Sequence, residues 1–325
     1  MVFWITHPFS ALIHSLTTTQ PFQSSILSKE HLPLPKGISS VIYTASIHAP
    51  HMLQHVCQYL RTYFGDPPHT PVLDIPEKHL MGLHDTMIVF YENQMIVGTI
   101  RYHYMGQYQV NQVHTEHMYC VDCFCIHPIW RKKGLGDVLL TMLHHYANKK
   151  GIPYAMFLKE GQSLQTIHRP LYSSSYVYRQ LVGCVMRTPF VHRLSIEKAY
   201  RLLDQWKQLQ PHLCVIRNSQ SANQEWRLYK RGIYYILACI QDTFQTKNGK
   251  RMGWVTAWLE SPYMMDFIRG EASEQITDMC SYEYIWMNKE WIGDSTKWTP
   301  DGPFHWYSYQ WMTGVTIGKS YCFLT

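Results

Sequence analysis

A dense run of apolar and β-favouring residues at positions 119–126 leads into a short basic turn, and this junction constrains the fold more than any other part of the chain. The turn, residues 131–136, reads Arg-Lys-Lys-Gly-Leu-Gly and combines three cations with two glycines. Residues 138–149 follow with apolar side chains at helical spacing. The sequence therefore predicts a buried strand, a glycine turn and a helix in direct succession.

This junction predicts an anion-binding site. Backbone N–H groups at a helix N-terminus bind phosphate, and glycines let the backbone approach such a ligand closely. The flanking Arg131, Lys132 and Lys133 add positive charge. The alternative interpretation is an exposed basic turn that only closes a strand–helix unit.

The elements around the junction have a characteristic order. Residues 48–64 have the spacing of a helix, residues 86–90 and 95–100 that of a β-hairpin, and residues 154–158 that of a strand beyond Gly151. The order of helix, hairpin, strand, basic glycine turn, helix and strand resembles the core of the GNAT acyltransferases. This resemblance implies an α/β (α+β) fold with a mixed sheet flanked by helices.

A weaker copy of the same order follows in the second half. Residues 196–210 and 264–276 are predicted helices, residues 247–250 a hairpin turn, and residues 304–311 a strand. We therefore predict two tandem GNAT-like units with a boundary near positions 181–187. The predicted organisation is an N-terminal arm (1–37), a first GNAT-like half (38–182) and a second GNAT-like half (183–325).

Composition limits the class of protein. The 325 residues are 46% hydrophobic and 16% charged, which is typical of a folded globular chain. A net charge of +6 suits an anionic ligand, and no Lys/Arg run exceeds three residues, so we expect no nucleic-acid partner. Nine cysteines, with no opening secretory signal, predict reduced thiols and a cytoplasmic location. No apolar run approaches the roughly 20 residues of a transmembrane helix.

The central segment resembles the glycylpeptide N-myristoyltransferase family more specifically. Residues 121–127 read Val-Asp-Cys-Phe-Cys-Ile-His, where the family has Val-Asn-Phe-Leu-Cys-Val-His, and residues 128–139 continue the match without a gap. Shorter resemblances occur in the family's order along the chain, at residues 3–8, 35–37, 75–80, 168–171 and 301–309. The chain departs from the family pattern at Asp122, Gly134, Gly136 and Tyr172.

The resemblance implies a role for each matching position. It assigns the oxyanion hole to the backbone N–H groups of Cys123 and Phe124, and the general base to the C-terminal carboxylate on Thr325. The implied acyl-CoA contacts are Phe3, Trp4, Cys125, Ile126, Arg131, Lys132, Lys133, Gly134, Leu135, Gly136 and Asp137. The implied acceptor contacts are Asp66, His168, Tyr172 and Asp301.

The expected activity is transfer of a long-chain acyl group, myristoyl, from acyl-CoA to the N-terminal glycine amine of a protein. Acyl-CoA would be a co-substrate, with no permanently bound cofactor, and the protein is expected to be a monomer. Two alternatives stay open: a GNAT N-acetyltransferase acting on a small amine or another protein, and an inactive relative with a binding or structural role. Cys120, Cys123, Cys125 and His127 lie close in sequence, but no second Cys-x-x-Cys completes a zinc site, so no metal is predicted.

Overall fold

The computed structural model describes residues 20–21, 33–45, 50–65, 72–110, 113–152, 154–164, 170–181, 188–217, 223–309, 311–312, 317 and 320–323. The helices in these ranges are α1 (Pro50–Tyr63), α2 (Glu77–Leu80), α3 (Leu135–Lys150), α4 (Ile196–Leu209) and α5 (Asp266–Asp278). Short 3-10 turns lie at Pro128–Trp130 and Lys289–Trp291. None of the described helices is long and apolar enough to cross a lipid bilayer.

The strands of the first half are β1 (Gln20–Pro21), β2 (Ile38–Thr44), β3 (Val72–Leu73), β4 (Thr86–Glu92), β5 (Met95–Val110), β6 (Val113–Ile126), β7 (Ala155–Glu160) and β8 (Tyr172–Gln180). Those of the second half are β9 (Val191–Leu194), β10 (Cys214–Arg217), β11 (Gln224–Arg231), β12 (Tyr234–Lys247), β13 (Lys250–Glu260), β14 (Tyr284–Asn288), β15 (Thr299–Tyr309), β16 (Trp311–Met312) and β17 (Tyr321–Phe323). The predicted mixed α/β fold is therefore confirmed, with β-structure predominant.

Fifteen of these strands form one mixed sheet. Its main path is β14-β8-β15-β7-β6-β5-β10-β17-β13-β12-β11-β9, with β4 and β2 branching from β5 and β3 pairing with β12. Strand β14 also pairs with β13, so the path from β14 to β13 closes on itself. Strands of both predicted halves alternate in this sheet. The two halves share one sheet, and the boundary between them stays a prediction.

Two tight hairpins form where their sequences favour them. Asn93 and Gln94 join β4 to β5 with positive φ angles of 48° and 67°. Asn248 and Gly249 join β12 to β13 with φ angles of 54° and 72°. Two-residue hairpins favour such left-handed conformations, because their twist matches that of the strands, and Asn-Gly adopts them easily. Both predicted hairpins are confirmed.

Helices α1 and α3 pack on the first half of the sheet. Buried Val56 and Leu60 of α1 join an apolar cluster that includes Cys123 of β6. Buried Leu139 and Leu143 of α3 join a second cluster, which is centred on β4 and β5. Both helices bury one apolar stripe, as the 3.6-residue spacing predicts. Cys123 and Cys125 of β6 thus share a cluster with α1, and Tyr119 and Val121 of β6 share a cluster with α3.

Strands β6 and β7 diverge soon after they meet. Their parallel pairing covers only Tyr119 with Ala155 and Cys120 with Met156. Beyond these pairs, β6 runs on to Ile126 and β7 runs on to Glu160. The gap between the diverging strands opens the cleft described below.

Strand β17 lies inside the sheet, between β10 and β13. Tyr321, Cys322 and Phe323 are fully buried. The hydroxyl of Tyr321 lies 2.9 Å from that of Tyr176, and the Phe323 ring lies 5.4 Å from the Trp306 ring. Tyr176 and Trp306 line the cleft, so the described end of the chain supports the floor of that cleft.

Candidate functional site

A cleft of about 760 Å³ opens between β6 and β7 and extends towards the β12–β13 hairpin. Its lining combines charged side chains of the first half with aromatic side chains of both halves. The aromatic residues are Phe64, Tyr104, Phe124, Tyr176, Phe244, Trp254, Trp286, Phe304 and Trp306. The volume is that of a site for a ligand larger than a small amine.

A β-bulge interrupts β6 at the edge of this cleft. Thr99 pairs with Cys125 and Arg101 with Asp122, so Ile100 faces two residues, Cys123 and Phe124. Cys123 has a φ of 48°, a region that residues other than glycine rarely occupy and that concentrates at functional sites. A bulge removes the extra residue from the regular ladder of hydrogen bonds. Cys123 and Phe124 both line the cleft.

The predicted turn leads directly into α3. Gly134 is the residue before the helix and has a φ of 80°, where a side chain would be strained. A Cβ at Gly136 would lie 3.1 Å from Cζ of Phe124, so the absence of a side chain lets the Phe124 ring lie against the helix. The bulge and the start of α3 are therefore in direct contact. The first N–H groups of a helix lack intrahelical partners, and those of α3 begin at Leu135.

The three cations of the turn have different surroundings. Arg131 donates from Nε to the carbonyl oxygen of Ile126 (3.0 Å) and from Nη2 to that of Tyr63 (2.9 Å). It thereby joins the turn to the ends of β6 and α1. Lys132 and Lys133 are exposed, and Lys133 Nζ lies 5.4 Å from the centre of the Trp130 ring. The two lysines are the cations that the turn presents to solvent.

The remaining predicted acyl-CoA contacts lie around this turn. Leu135 is fully buried in the cluster below α3, so its side chain serves packing. Cys125 is buried, and its carbonyl oxygen accepts from the Tyr59 hydroxyl at 3.4 Å. Ile126 and Asp137 are half-buried at the two ends of the junction. A phosphate contact at any of these positions stays a prediction.

We predict that Lys133→Glu weakens acyl-CoA binding without destabilising the fold. The side chain is exposed, so its contribution to unfolding free energy is within about 0.5 kcal/mol. Reversing a charge beside bound phosphate removes a charge-assisted contact of about 1.5–3 kcal/mol, a loss of roughly ten- to a hundredfold in affinity. Titration calorimetry with CoA measures this loss. Lys198→Glu, at an exposed position of α4, is the matched control. An unchanged dissociation constant for CoA in Lys133→Glu would rule out the assignment of Lys133 to the phosphates.

A buried ionic network stands beside the bulge. Arg101 forms two hydrogen bonds to Asp122, from Nε to Oδ1 at 2.7 Å and from Nη2 to Oδ2 at 2.6 Å. Its Nη1 donates to the carbonyl oxygen of Leu80 at 2.5 Å and lies 3.8 Å from Oδ2 of Asp85. His103 Nδ1 lies 3.0 Å from the same Asp85 oxygen. Arg101 thus fixes the residue that precedes the bulge.

Burial and charge shift the pKa values in this network. Burial alone raises the pKa of Asp85, but its hydrogen bond with His103 and the nearby charges of His103 and Arg101 outweigh burial and hold it well below its usual value. Burial lowers the pKa of Arg101, but the charge of Asp122 outweighs that effect and raises it. Asp85 and Arg101 are therefore both charged. Their opposite charges stabilise each other.

The thiols beside the network are not activated. Burial raises the pKa of the Cys123 and Cys120 thiols, and it raises that of Cys125 to about 11. A protonated buried thiol is a weak nucleophile and a poor metal ligand. Among the described residues, no three His, Cys, Asp or Glu side chains are grouped to hold a metal ion.

Two of the predicted acceptor contacts lie outside the cleft lining. Tyr172 is 8% exposed, belongs to the main apolar cluster and has its hydroxyl hydrogen-bonded to Nδ2 of Asn288. Asp301 is exposed on β15, where its charge raises the pKa of Glu160 in addition to the larger effect of burial. Glu160 does line the cleft, so Asp301 borders the site through Glu160. Phe3, Trp4, Asp66, His168 and Thr325 lie outside the described residues.

Several residues that line the cleft were not predicted from the sequence. Asp85 precedes β4, and Arg101 and His103 occur two positions apart on β5, so alternation places the last two on one face. Ionisable residues on an otherwise apolar strand are a sequence signal that could have indicated Arg101 and His103 as candidates. The sequence does not show that Asp85 reaches them, because that contact depends on the packing of β4 and β5.

Comparisons with known proteins agree with this geometry. Residues 53–174, which include the bulge, the turn and the ionic network, match the Acetyltransferase (GNAT) family model. No curated protein sequence matches the chain.

Solved structures show similarity over almost the whole chain. A crystal structure of Saccharomyces cerevisiae N-myristoyltransferase with bound myristoyl-CoA has a TM-score of 0.70 at 13% identity, covering 96% of this chain and 88% of that one. A second structure of that enzyme with myristoyl-CoA has a TM-score of 0.68 at 13% identity and covers 96% and 93%. The chain therefore has a GNAT-like fold, and its family match supports acyl-CoA-dependent N-acyltransfer as its class of activity.

Proposed function

We propose that this protein transfers a long-chain acyl group, myristoyl, from acyl-CoA to the N-terminal glycine amine of a protein. The observation that carries the proposal is the position of the bulge. Cys123 and Phe124 both line a large cleft, and the Phe124 ring contacts the start of α3, beside the basic turn. An acyl-CoA whose thioester lies at the bulge would place the CoA phosphates near the turn, and its acceptor would bind in the cleft.

The cleft suits a peptide acceptor. Its volume of about 760 Å³ exceeds what a small amine requires, and residues of both halves line it. Asp122, Glu160 and Asp242 place carboxylates along it. Asp122 and Asp242 are ion-paired with Arg101 and Arg251, so Glu160 is the carboxylate that we expect to attract the acceptor ammonium. A glycine at the peptide N-terminus has no side chain to hinder the approach of its nitrogen to the thioester.

The proposed reaction is direct attack of the amine on the thioester carbonyl. The carbonyl oxygen gains negative charge in the transition state, and N–H groups of Cys123 and Phe124 at the bulge would stabilise it. The carbonyl–sulfur bond then breaks and CoA leaves as its thiol. The ammonium must lose a proton before attack. The resemblance assigns that proton to the carboxylate of Thr325, which stays a prediction.

A transfer assay tests the proposed function. We expect myristoyl transfer from myristoyl-CoA to a Gly-initiated basic peptide, detected as a mass increase. The same peptide with an acetylated N-terminus should accept nothing, because its nitrogen has no lone pair free for attack. Transfer to the blocked peptide through a lysine, or efficient transfer only from acetyl-CoA, would instead support the N-acetyltransferase alternative.

A further inference from the structure

His103 has one ring nitrogen occupied and the other accessible. It lies on β5 and lines the cleft, with 21% of its side chain exposed. Its Nδ1 lies 3.0 Å from Oδ2 of Asp85. No described residue forms a hydrogen bond with Nε2. The imidazole is therefore oriented through Nδ1 and open at Nε2.

Asp85 is rigidly held and charged. Its Oδ2 accepts from the backbone N–H of Gly82 at 2.8 Å, and its Oδ1 accepts from that of Tyr104 at 2.8 Å. Its side chain is 2% exposed, and Arg101 Nη1 lies 3.8 Å away. A buried carboxylate with these donors stays ionised, so it accepts a hydrogen bond from Nδ1–H of His103. When the imidazole is neutral with its proton on Nδ1, Nε2 carries a lone pair.

The other cleft carboxylate beside the bulge is already paired. Both oxygens of Asp122 accept from Arg101, at 2.7 and 2.6 Å. The guanidinium of Arg101 thus occupies a hydrogen-bonding position on each oxygen of this carboxylate. His103 lies two residues from Arg101 on the same face of β5, and its Cα pairs with that of Cys120, two residues before Asp122. Its side chain lines the same cleft as Cys123 and Phe124.

We propose that His103 is a general base for acyl transfer and that Asp85 is its positioning residue. This inference rests on the proposed function and names a second candidate for the proton acceptor besides Thr325. A base held in one tautomer by a buried carboxylate is a recurring device in nucleophilic catalysis.

The proposed transfer releases one proton for each amide bond that forms. Nε2 of His103 takes one proton from the acceptor ammonium, directly or through one water, and frees the nitrogen lone pair. That pair forms the bond to the thioester carbon, the carbon–sulfur bond breaks, and its electrons leave with the CoA sulfur. The second amine proton is lost to the sulfur and yields CoA thiol. His103 releases its proton to solvent, so the net products are the amide, CoA thiol and one proton.

The charged and titratable groups around this imidazole come from several elements. Asp85, before β4, and Arg101, on β5, are in its network. The remaining titratable groups that line the cleft are Lys78, His79, His84, Tyr104, Cys120, Asp122, Cys123, Glu160, Tyr176 and Asp242. Protonation of the imidazole occupies Nε2 and abolishes its function as a base. Transfer should therefore fall on the acid side of the pH profile.

His103→Gln tests the base directly. The Gln amide keeps a donor for Asp85, so the fold should persist, while kcat for peptide acylation should fall about 10²–10⁴-fold and the acid limb should disappear. His192→Gln, at an exposed position of β9, is the control, and its kcat should equal that of the wild-type protein. Added imidazole should restore part of kcat to His103→Ala. Wild-type kcat in His103→Gln, or a retained acid limb, would overturn the proposal.

Asp85→Asn tests the positioning residue. Its amide presents a donor to Nδ1, moves the imidazole proton to Nε2 and should lower kcat, with KM for the peptide little changed. Calorimetry with myristoyl-CoA on each variant distinguishes a failure of the His103 proposal from a failure of the proposed function. If the wild-type protein binds myristoyl-CoA and transfers the acyl group, and the His103 variants transfer it equally well, the roles of His103 and Asp85 are rejected and the proposed function stands. If the wild-type protein shows no transfer, the proposed function itself is rejected.

Discussion

Replacing Arg101 with methionine should lower the unfolding free energy by about 3–5 kcal/mol, because it leaves Asp122 and Asp85 without their shared cation. Arg101 is 6% exposed and Asp85 3%, so water cannot replace the lost partner at Asp85. The variant also frees the residue that precedes the bulge. Denaturant unfolding monitored by tryptophan fluorescence measures the change.

Arg61→Met is the matched control for this prediction. Arg61 Nη2 lies 2.9 Å from Oδ2 of Asp74, but the two side chains are 62% and 43% exposed. Exposed pairs contribute about 0–1 kcal/mol, so this variant should unfold close to wild type. Equal unfolding midpoints for the two arginine variants would show that the buried network contributes nothing to stability.

The pH dependence of wild-type stability checks the same network. The folded pKa of Asp85 lies below its ordinary value of 3.8. The native state therefore binds this proton less readily than the unfolded state. The stabilisation is fully present above that ordinary value and is lost as pH falls below it. Arg101→Met should show a smaller loss of stability over this acid range, because Asp85 then lacks one of the charges that lower its pKa.

Myristoyl-CoA should stabilise the protein against heat far more than acetyl-CoA at equal concentration. Each buried methylene contributes about 0.8 kcal/mol. Burial of only a third of the roughly twelve extra carbons gives about 3 kcal/mol, or an affinity gain of about a hundredfold or more. Ligand binding to the native state raises the melting temperature in proportion to the logarithm of its excess over the dissociation constant. Differential scanning fluorimetry with both thioesters and free CoA measures the difference.

Lys133→Glu supplies the internal control for this comparison. Its side chain is proposed to act on the CoA phosphates, which all three ligands share, so it should reduce their affinities by one common factor. The chain-length difference between myristoyl-CoA and acetyl-CoA should remain. Equal melting temperatures with both thioesters on the wild-type protein would contradict a long-chain acyl site and favour an acetyl donor.

The sequence alone was sufficient for the local parts of this fold. The strand, basic turn and helix across residues 119–149 depend on neighbouring residues, because apolar spacing and glycine conformations are properties of short segments. The Asn-Gly hairpin between β12 and β13 was predicted for the same reason. Cys123 and Phe124 were predicted by resemblance to form the oxyanion hole, and the structure shows that both line the cleft.

Only the tertiary structure decided the bulge, the network and the burial of individual side chains. The φ of Cys123 follows from a register shift between β5 and β6, and one-residue register differences between strands have no local sequence signal. Asp85 meets His103 across 18 positions, and the buried Tyr172 is hydrogen-bonded to Asn288, 116 positions away. Such contacts depend on how distant segments pack, so the alternation of polar residues on β5 indicated candidates without showing their partners.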